Sequence, residues 1–293
     1  MFQGLILSGG GVKGICTLGA LQYLYDNKLI NDSLHFFSGT SVGGIISYFI
    51  AIGFTPVELL VYMCSHSVLE SLKINSLGVI LEESGVYDYS IITEHCRKMT
   101  IDKIGYIPTL GELYEKHHKE LVLCTYNLTK SQVEYLSYKN YPDISCLDAL
   151  RMTSNLPFIF GDFFFNNCEY LDGGFVDNFP IKMIPDNTSI FGVFLGNKKN
   201  HGFLFGQEDS SKLLGTVSWT QINKVIDKVY NILNIPMNER EKEKIEGIKN
   251  NSDLKVLKIE LENMKIYKFN LSQSKKLDLF SIGYNETKDF INY

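Results

Sequence analysis

None of the six cysteines pairs with another at C-x-x-C spacing. Cys16, Cys64, Cys96, Cys124, Cys146 and Cys168 are scattered, which argues against a disulfide framework and a zinc site and favours a reducing compartment. Positive charge is not in excess either. The formal net charge is −5, whereas a nucleic-acid surface needs basic residues to neutralise phosphate. This argues against nucleic acid as a partner. The chain does not open on a basic-then-apolar stretch, so no signal peptide is expected. Its longest apolar stretch, Val42 to Phe54, is too short to cross a bilayer and reads as a buried core helix. No internal repeat and no Pro/Gly/Ser linker interrupts it. What remains is a soluble cytoplasmic or other intracellular protein, free to work peripherally at a membrane surface.

The 293 residues are 45% hydrophobic and 21% charged, the balance of a globular protein with a sizeable core. Leu5–Leu7 is a short apolar run that ends in Ser8 and a glycine turn. Helical spacing follows through Ile15, Leu18, Leu21, Tyr25 and Leu29. Leu34–Phe37 then reads as a second strand ending at Gly39, and Val42, Ile45, Ile46, Phe49 and Ile50 as a second helical stripe. Strand, turn and helix repeated in this way predict an α/β layer architecture with parallel strands. Thr55-Pro56-Val57-Glu58 and Thr109–Glu112 are capping boxes. Leu121–Tyr126 and Val133–Leu136 predict a hairpin, Ser145–Asp148 a helix start, and Tyr170-Leu171 and Ile190–Leu195 strands. Beyond Gly196 the character changes. Gly202–Gln207 is loop-like, Leu214–Leu233 carries a helical stripe, and Glu239–Lys249 alternates Lys and Glu as a solvated helix face does. Leu254–Leu261 reads as a strand and Ser272–Tyr293 as a closing helix. We expect a core over residues 1–196, with residues 197–293 as an extension packed on it rather than an independent domain.

Three motifs carry chemistry. Gly39-Thr40-Ser41-Val42-Gly43 is a G-x-S-x-G pentapeptide between a predicted strand and a predicted helix, the setting of a nucleophile elbow. Glycine at 39 and 43 permits the tight turn, and the helix dipole favours negative charge near the Ser41 hydroxyl. Gly9-Gly10-Gly11-Val12-Lys13-Gly14 fits G-x-G-x-x-G, which has three readings: an oxyanion hole of bare N–H groups, a dinucleotide turn, or a plain tight turn. The dinucleotide reading needs an acidic residue at the end of the second strand, and Asp32 precedes that strand. A serine nucleophile needs a base. The six histidines, His35, His66, His95, His117, His118 and His201, lie in no late turn motif. Asp172, in Leu171-Asp172-Gly173-Gly174, is the better candidate, since a carboxylate within reach can act directly as general base. An ordinary Asp-Gly turn fits the same residues.

In this order the three motifs, with Ala149–Pro157 before the last and Asn178-Phe179-Pro180 after it, resemble the patatin-like phospholipase family over roughly Leu5 to Leu195. The resemblance implies a three-layer α/β fold with a mostly parallel central sheet flanked by helices. It implies a phospholipase A or lysophospholipase-like esterase, with Ser41 as nucleophile, Asp172 as proton acceptor, and an oxyanion hole around Gly10 and Gly11. Lys13 stands where the family has Arg or Lys. Ser8 stands where many members have an acidic residue. The resemblance implies no metal or cofactor. The expected partner is a phospholipid or another fatty acyl ester. The alternative is a silent lipid-binding or effector protein on the same fold. Phe158–Phe165 reads first as a pair of core strands, with an acyl channel or a bilayer contact as the other readings. Glu58–Ile80 is a candidate lid.

Overall fold

The computed structural model describes residues 1–66, 68–72, 75, 85–197, 213–214, 217–248, 253–261, 264 and 269–292. The expected loop Gly202–Gln207 and the candidate base His201 lie outside these residues, as do residues 67, 73–74 and 76–80 of the candidate lid.

Strand β1 (Gly4–Leu7) is buried at every residue, as a parallel strand covered on both faces should be. It leads through a 3₁₀ turn at Gly11–Lys13 into α1 (Gly14–Asp26). Strand β2 (Phe36–Thr40) repeats the pattern and leads into α2 (Val42–Ala51). Helix α3 (Pro56–Ser65) starts on the expected capping box: the Thr55 hydroxyl accepts the Glu58 N–H, and the Glu58 carboxylate accepts the Thr55 N–H. Then come α4 (Ser90–Ile104) and α5 (Leu110–His117), the second of these on the Thr109–Glu112 box. Strands β3 (Glu120–Asn127) and β4 (Gln132–Leu136) form the expected antiparallel hairpin. The Ser145 side chain caps α6 (Cys146–Thr153). After it come β5 (Phe164–Phe165), β6 (Cys168–Asp172) and β7 (Ile190–Asn197). A ribbon of β8 (Leu213–Leu214) and β9 (Val217–Ser218) precedes α7 (Trp219–Gly247), β10 (Leu254–Leu261) and α8 (Gln273–Asn292).

The central sheet runs β10-β7-β1-β2-β3-β6-β5, with β4 also paired to β3. The five strands from β10 to β3 are parallel, β4 and β6 pair antiparallel with β3, and β5 pairs antiparallel with β6. This is the α/β architecture with a mostly parallel sheet that the sequence predicts. The period of two sorts the core into two layers. Leu5, Leu7, Phe37 and Val193 pack with α1 and α2 on one face, while Ile6, Phe36, Ile190 and Phe194 pack on the other. Helices α1 and α8 touch backbone to backbone. A Cβ at Gly283 would stand 1.8 Å from the Cys16 carbonyl oxygen, and one at Gly19 would stand 1.9 Å from that of Phe280.

Two expectations need correcting. Phe158–Phe165 is not a pair of core strands, because β5 has two residues and Phe158 and Phe164 are exposed. Phe158 follows a proline and takes a φ of 65°, which turns the chain out of extended conformation and carries Phe160 inward to a 4% exposed position. Glu239–Lys249 is not simply a solvated face. It belongs to α7, whose Glu239, Arg240, Lys242 and Glu243 are exposed while Glu241 is buried and Lys244 partly so.

Candidate active site

The glycine loop follows the end of β1, and the serine pentapeptide runs from the last two residues of β2 into α2. Strand β1 is where the sheet order reverses, with β2 on one side and β7 on the other. A crevice at the carboxyl ends of the strands opens at such a point.

Ser41 takes φ 55° and ψ −129° between β2 and α2, a conformation that costs about 1–3 kcal/mol for a residue with a side chain. The surroundings enforce it. A Cβ on Gly43 would lie 2.2 Å from the Leu7 carbonyl oxygen, and one on Gly39 would lie 2.6 Å from the Gly43 carbonyl carbon. The Ser41 N–H donates to Thr153 Oγ1 at 3.1 Å, and the Thr153 hydroxyl donates at 2.5 Å to the Cys124 carbonyl.

Asp172 closes β6 and is 1% exposed. Its N–H donates to the Asn155 carbonyl at 2.8 Å, and its Oδ1 accepts the Gly174 N–H at 2.7 Å. Gly173 packs on Cys124, whose carbonyl oxygen would be 2.3 Å from a Cβ there. Oδ2 is buried and meets no donor at full hydrogen-bond geometry. The Ser41 hydroxyl is nonetheless near enough to act on the carboxyl. Burial raises the Asp172 pKa to about 7, while the Ser41 hydroxyl and then the Gly174 N–H pull the other way. A loosely aligned pair of this kind is common before substrate tightens it.

Gly9, Gly10, Gly11 and Lys13 border the same polar cavity as Ser41 and Asp172, and Gly14 packs against Val42 behind it. Among the described residues no backbone acceptor pairs with the Gly10 N–H, and Gly10 lines this cavity. Lys13 is 2% exposed. Its ammonium donates to Asn197 Oδ1, and burial lowers its pKa to about 8. Ser8 lies beneath the loop, where its hydroxyl donates to the Gly9 carbonyl at 3.1 Å and accepts the Leu195 N–H at 2.9 Å. Asp32 borders a different cavity, which removes it from the glycine loop and weakens the dinucleotide reading.

Ser41 also borders a second, apolar cavity of about 150 Å³, walled by residues such as Ile45, Phe49, Leu59, Met99 and Phe160. This lining is apolar and matches hydrocarbon in character, whereas the polar cavity suits an ester and its alcohol. His95 reaches the apolar wall too, but its Nδ1 is bonded to the Tyr62 hydroxyl at 2.9 Å and burial lowers its pKa. The other described histidines border neither cavity.

Several supporting residues were missed by motif reasoning. Thr153 and Asn155 lie in the quoted Ala149–Pro157 segment, but neither carried a role there. Asn155 holds both ends of the β6 tip, through its carbonyl to the Asp172 N–H and through Nδ2 to the Tyr170 carbonyl at 2.8 Å. Tyr230 and Glu241 of α7 border the polar cavity, and nothing in the Lys/Glu pattern points inward.

The family model for patatin-like phospholipases matches residues 5–184. A probable lipid hydrolase, 463L, of Invertebrate iridescent virus 6 is 33% identical over 183 residues, which cover 61% of this chain and 62% of that protein. The aligned part thus spans under two thirds of that relative. An uncharacterised protein, R571, of Acanthamoeba polyphaga mimivirus is 26% identical over 99% of this chain and 93% of its own length. Among solved structures, VipD from Legionella pneumophila superposes with a TM-score of 0.56 at 18% identity, covering 99% of this chain and 67% of VipD, a likeness of fold.

Proposed function

The chain belongs to the patatin-like phospholipase family, and from that premise we propose that it hydrolyses fatty acyl esters of lipids with Ser41 as nucleophile and Asp172 as its base. The observation that carries the reading is the buried Asp172 carboxyl, one oxygen unpaired, beside a strained Ser41 that borders both an apolar and a polar cavity. The acyl chain enters the apolar cavity and the alcohol portion the polar one. Ser41 Oγ attacks the ester carbonyl while Asp172 takes its proton. The tetrahedral oxyanion is met by N–H groups of the glycine loop around Gly10 and Gly11, in an environment that strengthens such bonds. Collapse expels the alcohol, which takes the proton from Asp172. Water then enters, loses a proton to Asp172 and attacks the acyl-enzyme. The fatty acid leaves as Ser41 regains its proton. Phospholipids or lysophospholipids are the proposed substrates. Among the described residues no single helix is long and apolar enough to cross a membrane, so contact with a lipid surface is proposed as transient.

The test is hydrolysis of a short p-nitrophenyl ester and of phospholipid vesicles by the wild type and Ser41→Ala, alongside labelling by a fluorophosphonate. Turnover and labelling that vanish in the variant support the assignment. A wild type that is inert and unlabelled refutes it and leaves the silent lipid-binding alternative. Near-full activity in Asp172→Asn removes Asp172 as the base.

A further inference from the structure

We infer that Lys244, on a helix outside the family-matched residues, is a positioning residue that holds the loop after Asp172 against both glycine motifs. The inference rests on the Ser41–Asp172 reading for its catalytic consequence.

The loop Val176–Phe179 touches every part of the site. The Val176 and Asp177 N–H groups donate to the Gly173 carbonyl at 3.0 and 2.9 Å, next to the proposed base. The Asp177 carbonyl accepts the hydroxyl of Thr40, the residue before Ser41, at 2.9 Å. The Asn178 carbonyl accepts the Gly9 N–H at 3.3 Å, at the start of the glycine loop. A shift of this loop therefore moves nucleophile, base and oxyanion donors relative to one another.

Helix α7 grips the loop from behind. Lys244 Nζ donates to Asp177 Oδ1 at 2.5 Å, to Glu241 Oε1 at 2.8 Å and to the Phe179 carbonyl at 3.2 Å. Glu241 Oε1 also accepts the Asn178 N–H at 3.2 Å, and Arg240 Nη1 donates to the Val176 carbonyl at 2.8 Å. Tyr135 satisfies the other Asp177 oxygen at 2.6 Å. Asp177 and Glu241 are 4% and 5% exposed, so Lys244 is the cation that lets two buried carboxylates share one place. Without it they repel in a poorly screened setting, and the loop and α7 separate. The strand ladders of β1, β2 and β3 do not depend on this ammonium. The expected damage is thus local and falls on site geometry, where a displacement near 1 Å costs about 10²-fold in rate.

The experiment compares wild type, Lys244→Met, Lys244→Arg and the double variant Lys244→Met/Asp177→Asn in steady-state ester hydrolysis and in amide hydrogen exchange. Lys244→Met should lower kcat by about 10²-fold with KM changed by less than about threefold. Lys244→Arg should recover part of the loss, because it keeps the charge. The double variant should recover more than the single one. It removes the stranded carboxylate, and the amide oxygen introduced by Asp177→Asn can still accept the Tyr135 hydroxyl. Exchange should rise at Gly174, Asp177 and Asn178 and stay unchanged in β1 and β2. A kcat within about twofold of wild type, or exchange that rises equally through the sheet, overturns the inference. The exchange arm needs no turnover. If the wild type hydrolyses no ester, the functional reading falls, and exchange confined to the loop still upholds the clamp while unchanged loop exchange refutes it.

Discussion

Replacing Asp172 by asparagine should destroy activity and stabilise the protein. The native carboxyl titrates at about 7 against an ordinary 3.8, with burial as the main cause. Each factor of ten in proton affinity is worth about 1.4 kcal/mol, so the ionised carboxylate costs the native state about 4 kcal/mol relative to the unfolded chain. The sign follows from proton counting. Between pH 3.8 and 7 the native state binds a proton that the unfolded state has released, so stability falls as pH rises through this window. Above it the cost is complete, and below it the cost is absent. Asparagine keeps the shape and carries no charge. Its carbonyl can accept the Gly174 N–H, and its amide can face the Ser41 hydroxyl. Asp172→Asn should therefore melt roughly 10 °C above wild type at about pH 8, from about 2–4 °C per kcal/mol for a chain of this size, and the gap should close towards acid pH as the wild-type carboxyl takes up its proton. Thermal melts of both proteins across that range check it. Equal melting in the alkaline range, or a less stable variant, would refute the reasoning that burial strains this carboxylate.

The pH–rate profile should be bell-shaped: kcat/KM falls below about pH 7 as Asp172 is protonated and falls above about pH 8 as the buried Lys13 ammonium is lost. Lys13→Met should flatten the alkaline limb and leave the acid limb in place, and an unchanged alkaline limb would exclude Lys13 from the reaction. Gly283→Ala should lower stability by about 1–3 kcal/mol or more through overpacking, because its Cβ meets the Cys16 carbonyl of α1. Gly247→Ala, with nothing within 4 Å, is the control and should melt within about 2 °C of wild type.

The sheet and its motifs were legible because local chemistry sets them. Leu5–Leu7 and Phe36–Phe37 are apolar runs too short for helices. Thr55 and Thr109 each announce a helix start with glutamate three residues on, and both boxes form. Glycines 39 and 43 mark a turn whose tightness is a property of that turn. What sequence left unread depends on partners far along the chain. Pattern alone puts Lys244 on a solvated face, and the residue that turns it inward is Asp177, 67 positions away. Phe158–Phe165 has the composition of a strand, yet Phe158 leaves extended conformation after Pro157, and Asn166-Asn167 turns with φ of 47° and 61°. Positive φ at both central residues is what a tight hairpin requires, and this leaves β5 two residues long.

Burial acts on the site's two charges in opposite senses, which explains why this geometry suits a carboxylate base. Desolvation disfavours a charge of either sign. It raises Asp172 to about 7 and lowers Lys13 to about 8, so the interval in which the base is ionised and the cation protonated narrows from several pH units to about one. A carboxylate at its ordinary affinity is too weak a base to draw a proton from a serine hydroxyl. One raised to about 7 lies near the optimum for proton transfer at neutral pH. On the proposed reading, burial of the Asp172 carboxyl serves catalysis by bringing the base to useful basicity, while the apolar cavity beside Ser41 would take the hydrocarbon chain. It follows that opening the polar cavity, as loss of the Lys244 clamp would do, lets water relax the carboxyl toward its ordinary pKa and weakens the base at the same time as it misplaces it.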